Sequence, residues 1–220
     1  MEGKLTSNQL KLLALLTMTL DHIGVQLLPQ YPLLRIIGRL AFPLYAYMIA
    51  EGCTHTHNRR RYLLQMAGLA LLCQIVYFFA MGSLYQCILV TFSLSILTVY
   101  AIDSPTPWHA PAAFCLVLFL TELLPLLLTN TDYGVDYGLV GVLLPVAVWL
   151  AKTRRQKLTL CALFLVLLAL DYGGVQWYGL AALLPLALYS GQRGKWRMKW
   201  LFYLYYPLHL AALYGISQLI

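Results

Sequence analysis

The stretch MTLDHIGVQLL, residues 18–28, decides how this chain is read. It lies inside an apolar run long enough to cross a membrane, yet Asp21 and His22 stand side by side near the middle of that run. A charged side chain at a helix centre costs about 2.5–3.5 kcal/mol on insertion scales, so residues kept there need a partner or a task. Composition gives the setting. Of 220 residues, 61% are hydrophobic and 10% charged, whereas an ordinary soluble domain carries about a quarter charged residues. These proportions exclude a soluble globular domain. They imply an all-α polytopic integral membrane helical bundle, a single transmembrane domain over residues 1–220. The first apolar run has no small-residue exit, so no signal-peptide cleavage region is expected. Cys53, Cys73, Cys87, Cys115 and Cys161 all lie in or beside apolar runs without close-paired spacing, the pattern of buried thiols.

Proline, glycine and charge clusters divide the chain into nine candidate spans, roughly 9–28, 34–53, 62–81, 84–102, 110–128, 137–151, 158–171, 175–190 and 200–219. The runs are too long and too uniformly apolar for barrel strands. Charge orients them. Lys4 and Lys11, then Arg59–Arg61, then Lys152, Arg154, Arg155 and Lys157, then Arg193, Lys195, Arg197 and Lys199 all fall on one side of nine spans. By the positive-inside rule that side is the cytoplasm, with the N-terminus inside. The opposite loops hold Asp132, Asp136 and Asp171 without Lys or Arg. The net charge of +7 is then a basic rim beside anionic lipid, or a surface for a phosphate-rich cytosolic ligand, and needs no nucleic acid.

Arg35 and Arg39 escape this loop accounting. They are four residues apart and share a helix face. Spans one and two form a hairpin around PQYP, residues 29–32. His22 lies seven residues before Pro29 and Arg39 seven after Pro32. At 1.5 Å per residue both sit roughly 10 Å below the turn. Asp21 is therefore placed to pair with Arg39 or Arg35, or to orient His22. His209 in FYLYYPLHL and Glu122 in FLTELLP count to a similar depth. The bland alternative is a structural ion network, with His209 capping a carbonyl freed by Pro207. A histidine beside a carboxylate and level with an arginine also has the parts of a general base and its orienter.

The inner end of span two, AEGCTHTHNRRRY, is the second unusual place. Glu51, Thr56, Asn58 and Arg59 suit a polar cradle for the phosphates of a cytosolic cofactor, since arginine forks and hydroxyls bind phosphate. A metal site at His55 and His57 is not expected, because no partner Cys/His set accompanies them. No phosphate-binding glycine loop, serine elbow or zinc-protease helix occurs. DYGVDYGLVGVLLP (132–145) and DYGGVQWYGLAALLP (171–185) are alike enough for a small internal repeat, or for two similar helix starts.

Four segments together resemble the TraX family, integral membrane proteins associated with N-terminal acetylation of F-type pilin. They are MTLDHIG, then RIIGRLAFPLYAYMIAEGCTHTHNRRRYLLQMAGLALLCQI, then DYGLVGVLLP, then FYLYYPLHL. They occur in the family's order across nearly the whole chain; residues 84–135 add little. There is a weaker likeness to broader transmembrane acyltransferases. The resemblance implies an acyltransferase of the bacterial cytoplasmic (inner) membrane that uses acetyl-CoA as acyl donor and no metal. It implies His22 as catalytic base, with Asp21 orienting it or holding the arginines. Arg35 and Arg39 would stabilise the oxyanion or anchor the donor, and Glu51, Thr56, Asn58 and Arg59 would line the donor entrance. His209 would complete the site, with Glu122 and Asp136 as further site candidates. Membrane lipid, acyl-CoA and a peptide, pilin or glycan acceptor are the implied partners. The residues alone leave two rivals: a proton-coupled transporter built on intramembrane Asp, His and Arg, and a non-catalytic assembly factor.

Overall fold

The computed structural model describes residues 3–195 and 198–219. Arg197, counted above in the last basic cluster, lies outside the described residues, as does the side chain of Lys199. The described residues are helical apart from turns, loops and two isolated bridges, Leu5 with Tyr189 and Gln86 with Val135. Helical segments fall in each of the nine expected regions. Three helical stretches, Pro32–His55, Arg59–Met81 and His109–Leu127, are long and apolar enough to cross a membrane, and Ile88–Ile102 and Gly138–Leu150 are shorter apolar helices. The chain forms two compact units: Met1–Met48 with Cys161–Ile220, and Ile49–Leu160.

In the first unit, α1 (Ser7–Gln26) begins with a reciprocal cap. Thr6 Oγ1 accepts from the Gln9 amide, and the Gln9 side chain accepts from the Thr6 amide. This satisfies two of the donors that a helix start leaves open. After the turn at Pro29, α2 (Pro32–Gly38) starts on a proline at its first position, where no N–H is needed. The α1–α2 packing is close because two glycines permit it. A Cβ on Gly38 would stand 2.2 Å from Asp21 Oδ1, and one on Gly24 would stand 2.9 Å from the Leu34 Cβ.

Span two was expected to run unbroken over 34–53, but it breaks after α2 and resumes as α3 (Ala41–His55). The cause is Pro43. It has no N–H to give the Arg39 carbonyl four residues back. Gly179 lies beside that carbonyl, 3.5 Å from where its own Cβ would be. Gly179 belongs to the 3₁₀ helix Gly174–Ala182, which packs on α2. The eighth expected span is thus mostly 3₁₀, with only Leu183–Ala187 (α10, numbered in chain order) α-helical. The last helix, α11 (Lys199–Ser217), packs against α1.

The second unit contains α4 (Arg59–Met81), α5 (Ile88–Ile102), α6 (His109–Leu118), α7 (Leu124–Leu127) and α8 (Gly138–Leu150). The chain then enters α9 (Arg154–Tyr172), which continues into the first unit. Helix α5 is central, packing on α4, α6 and α8. Its small polar residues join helices, as in the Ser95 hydroxyl 2.8 Å from the Val142 carbonyl of α8. The expected fourth span started at 84, but residues 83–87 are non-helical, and the Leu84 amide donates to Asp132. The Ser83 hydroxyl and that amide hold the Asp132 carboxyl below the usual carboxylate range. Between α6 and α7 the helix widens into a π turn, Phe119–Leu123. There the Leu124 amide reaches back five residues to Phe119. The bypassed Leu120 carbonyl accepts the Tyr133 hydroxyl instead, at 3.2 Å. Of the cysteines expected to be buried, Cys115 is exposed and Cys87 only half-buried.

The two similar segments share a device. Tyr137–Gly138 and Gly173–Gly174 are each a pair of left-handed residues at the helix start. They then diverge, into an α-helix after the first and a 3₁₀ helix after the second. The glycine packing at α1–α2 makes a prediction. Gly38→Ala should lower unfolding stability in detergent by about 1–3 kcal/mol through overpacking against Asp21. Gly68→Ala, whose Cβ would meet nothing within 4 Å, should leave the thermal midpoint unchanged or raised.

Candidate active site

The polar centre of the first unit is built from α1, α2, the residue after α2, the 3₁₀ helix and α11. Asp21 Oδ2 accepts from Arg35 Nη1 at 2.8 Å, and both of its oxygens lie 2.6 Å from Arg39 Nη2. The side chains of Asp21 and Arg39 are 13% and 12% exposed, that of Arg35 32%. Within this cluster one carboxylate faces two guanidinium groups, so Asp21 by itself offsets one of the two positive charges. Arg39 Nη1 also donates to Gln176 Oε1 at 3.3 Å. The hairpin count from sequence therefore brought the correct residues to the same level.

His22 turns away from this ion cluster, as expected for adjacent helical residues about 100° apart. Its Nδ1 lies 2.7 Å from His209 Nε2, and His209 Nδ1 lies 2.9 Å from the Tyr205 carbonyl. The tautomers follow by elimination. A carbonyl only accepts, so His209 Nδ1 carries a proton. With both rings neutral, His209 Nε2 is then an acceptor, and His22 Nδ1–H must be the donor to it. His22 Nε2 is left with a lone pair and has no hydrogen-bond partner among the described residues. Aromatic packing fixes the His209 ring. Tyr205 stacks on it at 5.1 Å, and Tyr206 meets it edge-on at 5.6 Å. The Tyr205 hydroxyl and Thr19 Oγ1 are 2.7 Å apart, tying α11 to α1.

Of the two tasks expected of Asp21 it has the second: it holds the arginines, and the group hydrogen-bonded to His22 is His209. The capping expected of His209 is corrected. The carbonyl that His209 meets is that of Tyr205, not the Tyr203 carbonyl whose helical partner Pro207 removes. Thr19, Tyr205 and Gln176 were not singled out from sequence. For Gln176 the available signal was one amide in the otherwise apolar and aromatic GVQWYGLAA.

The remaining expected residues belong to the second unit and have partners of their own. Glu51 accepts from Lys157 Nζ at 2.6 Å, in a largely buried pair. The Thr56 amide donates to the Gly52 carbonyl at the end of α3. Asn58 caps α4, accepting from the Arg61 amide at 2.9 Å. Arg59 pairs with Asp103 and lies 5.5 Å from the Tyr100 ring. Arg60 and Arg61 are exposed. Glu122 is exposed on the π turn. Asp136 accepts from the Tyr85 hydroxyl at 3.1 Å. Among the described residues, no group of three or more His, Cys, Asp or Glu is placed to hold a metal ion.

Three apolar helical stretches of spanning length, and a buried centre that carries Asp21, Arg39, His22 and His209, describe a helical protein of membrane type with a buried polar site. Residues 6–217 match the family described as TraX protein, and the chain belongs to that family. It is 26% identical to Protein TraX of Escherichia coli over 161 residues, covering 72% of this chain and 62% of that protein. It is 34% identical over 73 residues to the probable fimbrial assembly protein FimC, serogroup H1, of Dichelobacter nodosus, covering 31% of this chain and 30% of that protein. The chain thus spans less than two thirds of the length of these relatives. No solved structure matches it at a significant level.

The tautomer assignment is testable by nitrogen NMR of isotope-labelled histidine in the reconstituted protein. His22 and His209 should both show the Nδ1–H form, the minor tautomer of the free histidine side chain. An Nε2–H signal from His22 would contradict the assignment.

Proposed function

We propose that this chain is a membrane-embedded acetyltransferase. It moves an acetyl group from cytosolic acetyl-CoA to an amine or hydroxyl, such as a pilin or peptide N-terminus or a cell-envelope glycan. Its setting is the bacterial cytoplasmic membrane, where it spans several times with its N-terminus inside. The observation that carries the proposal is His22: Nδ1 engaged by His209, Nε2 left with its lone pair, and a doubly cationic Arg35–Arg39 pair on the adjoining residue Asp21. The family relatives support a pilus-related acceptor, since one of them is named for fimbrial assembly.

The chemistry follows from these atoms. His22 Nε2 takes the proton of the acceptor amine or hydroxyl as its nitrogen or oxygen bonds to the thioester carbonyl carbon. Negative charge develops on the carbonyl oxygen, where the arginine surplus stabilises it. Collapse re-forms the carbonyl and breaks the carbon–sulfur bond. The proton on His22 Nε2 then passes to the leaving thiolate. His209 holds the imidazole in the required tautomer throughout, the role a carboxylate plays in a serine hydrolase triad. Apolar helices keep water from the thioester. Within the second unit, the exposed Arg60 and Arg61, with Glu51, Thr56, Asn58 and Arg59, are the groups suited to the phosphates of acetyl-CoA.

A proton-coupled transporter is the alternative, favoured by the break between α2 and α3 at the ion cluster. Acetyl transfer from radiolabelled acetyl-CoA in inverted membrane vesicles separates the two. Wild type should label an acceptor, and His22→Ala at matched expression should lose roughly 100-fold or more of the label. Equal labelling by both removes His22 from catalysis. No acetyl transfer, with proton-coupled uptake instead, establishes the transporter.

A further inference from the structure

Gln176 lies in the 3₁₀ helix Gly174–Ala182 and is 4% exposed. Its amide orientation is fixed by its neighbour. The Arg39 guanidinium carries donors only, so Oε1 must be the atom 3.3 Å from Nη1, and Nε2 must point elsewhere. There Nε2 is buried and meets no acceptor among the described residues. Buried amide donors are almost always paired, and one left over beside a functional centre calls for an explanation. Holding Arg39 does not supply it. A glutamate would hold Arg39 more strongly, and a methionine would fill the same space with no polar group to bury. The surroundings are donor-rich, since Asp21 offsets only one of the two guanidinium charges. A donor already stripped of water, next to surplus positive charge, is matched to an oxygen that gains negative charge.

We propose that Gln176 is a catalytic residue whose Nε2–H donates to the carbonyl oxygen of the acyl group. This rests on the acetyl-transfer function above. As the acceptor atom bonds to the carbonyl carbon, the carbonyl π electrons move onto oxygen, and the amide N–H with the Arg35 guanidinium stabilises that charge. Gln176 exchanges no proton, and the electrons return when the carbon–sulfur bond breaks. Nε2 is sealed from solvent in the absence of ligand, so its engagement involves a movement of the amide as the acyl group arrives. The 3₁₀ helix is what brings Gln176 there, with Gly179 of the same element beside the Arg39 carbonyl.

Two variants separate the possible roles. Gln176→Glu keeps an acceptor for Arg39, removes the donor and cancels the surplus charge. Gln176→Met keeps the charge and removes both the donor and the acceptor. The readouts are infrared difference spectra of carbonyl-labelled acetyl-CoA bound to the full chain in liposomes, and acetyl transfer in the same liposomes. Wild type should shift the bound thioester carbonyl to lower frequency. Both variants should abolish the shift and lose roughly 100-fold or more of transfer, as when one oxyanion donor is removed. The thermal midpoint of Gln176→Glu should stay at or above wild type. Retained shift and transfer in Gln176→Glu would mean that Gln176 only holds Arg39. Retention in Gln176→Met would mean that charge alone suffices. Either result overturns the proposal, and if Gln176→Met does not fold, Gln176→Glu decides. A wild type that transfers while both variants match it refutes Gln176 alone. A wild type with neither shift nor transfer refutes the acetyl-transfer function beneath it.

Discussion

Asp21 stands between Arg35 and Arg39, and much of the first unit is arranged around that contact. In a chain this apolar, two guanidinium groups need an acceptor near them, and breaking such a pair would leave a buried charge without compensation. Asp21 meets both. To do so, α1 and α2 must run close enough that Gly38 has no room for a methyl group against the carboxylate. Arg39 directly follows α2, where Pro43 deprives its carbonyl of a helical partner. The 3₁₀ helix closes in through Gly179 and supplies Gln176 Oε1 as a further acceptor. A proline, two glycines and a glutamine thus serve one ion cluster.

That arrangement leaves His22 free for a different partner. With Asp21 committed to the arginines, the orienting group on His22 is another histidine, itself fixed by the Tyr205 carbonyl and two tyrosine rings. The consequence is a division of labour along one helical step. Residue 21 collects positive charge, and residue 22 presents a nitrogen with its lone pair uncommitted. Both are what acyl transfer requires, and each is held by a different helix, so neither compromises the other.

Much of this was legible in the sequence, and the reason is depth. Charges in an apolar helix are conspicuous, a helix rises by a fixed amount per residue, and a hairpin turn gives two helices a common origin. That Asp21 is level with Arg35 and Arg39 follows from that counting, as does the similar depth of His22 and His209. What was not legible depends on lateral and rotational placement. Counting depth cannot tell which of two neighbours points at which helix, so the sequence leaves open whether Asp21 orients His22 or holds the arginines, and does not single out His209 as the orienting group. Gln176 carries no charge to betray it. The break at Arg39 was encoded in Pro43, but a proline in the first turn of a helix looks the same as one that ends the helix before it. Asn58 and Arg59 are chemically suited to phosphate, yet they also suit helix capping and ion pairing, and in the second unit each is found in such a contact.

The central claim is that the acyl group reacts at His22, in the first unit. A structure of the reconstituted protein with a non-reactive acetyl-CoA analogue tests it most directly. The account predicts the analogue's carbonyl carbon near His22 Nε2, with its oxygen directed toward Arg35 and Gln176. Well-resolved density for the analogue with its acyl end away from His22 and the Asp21–Arg39 cluster would contradict it.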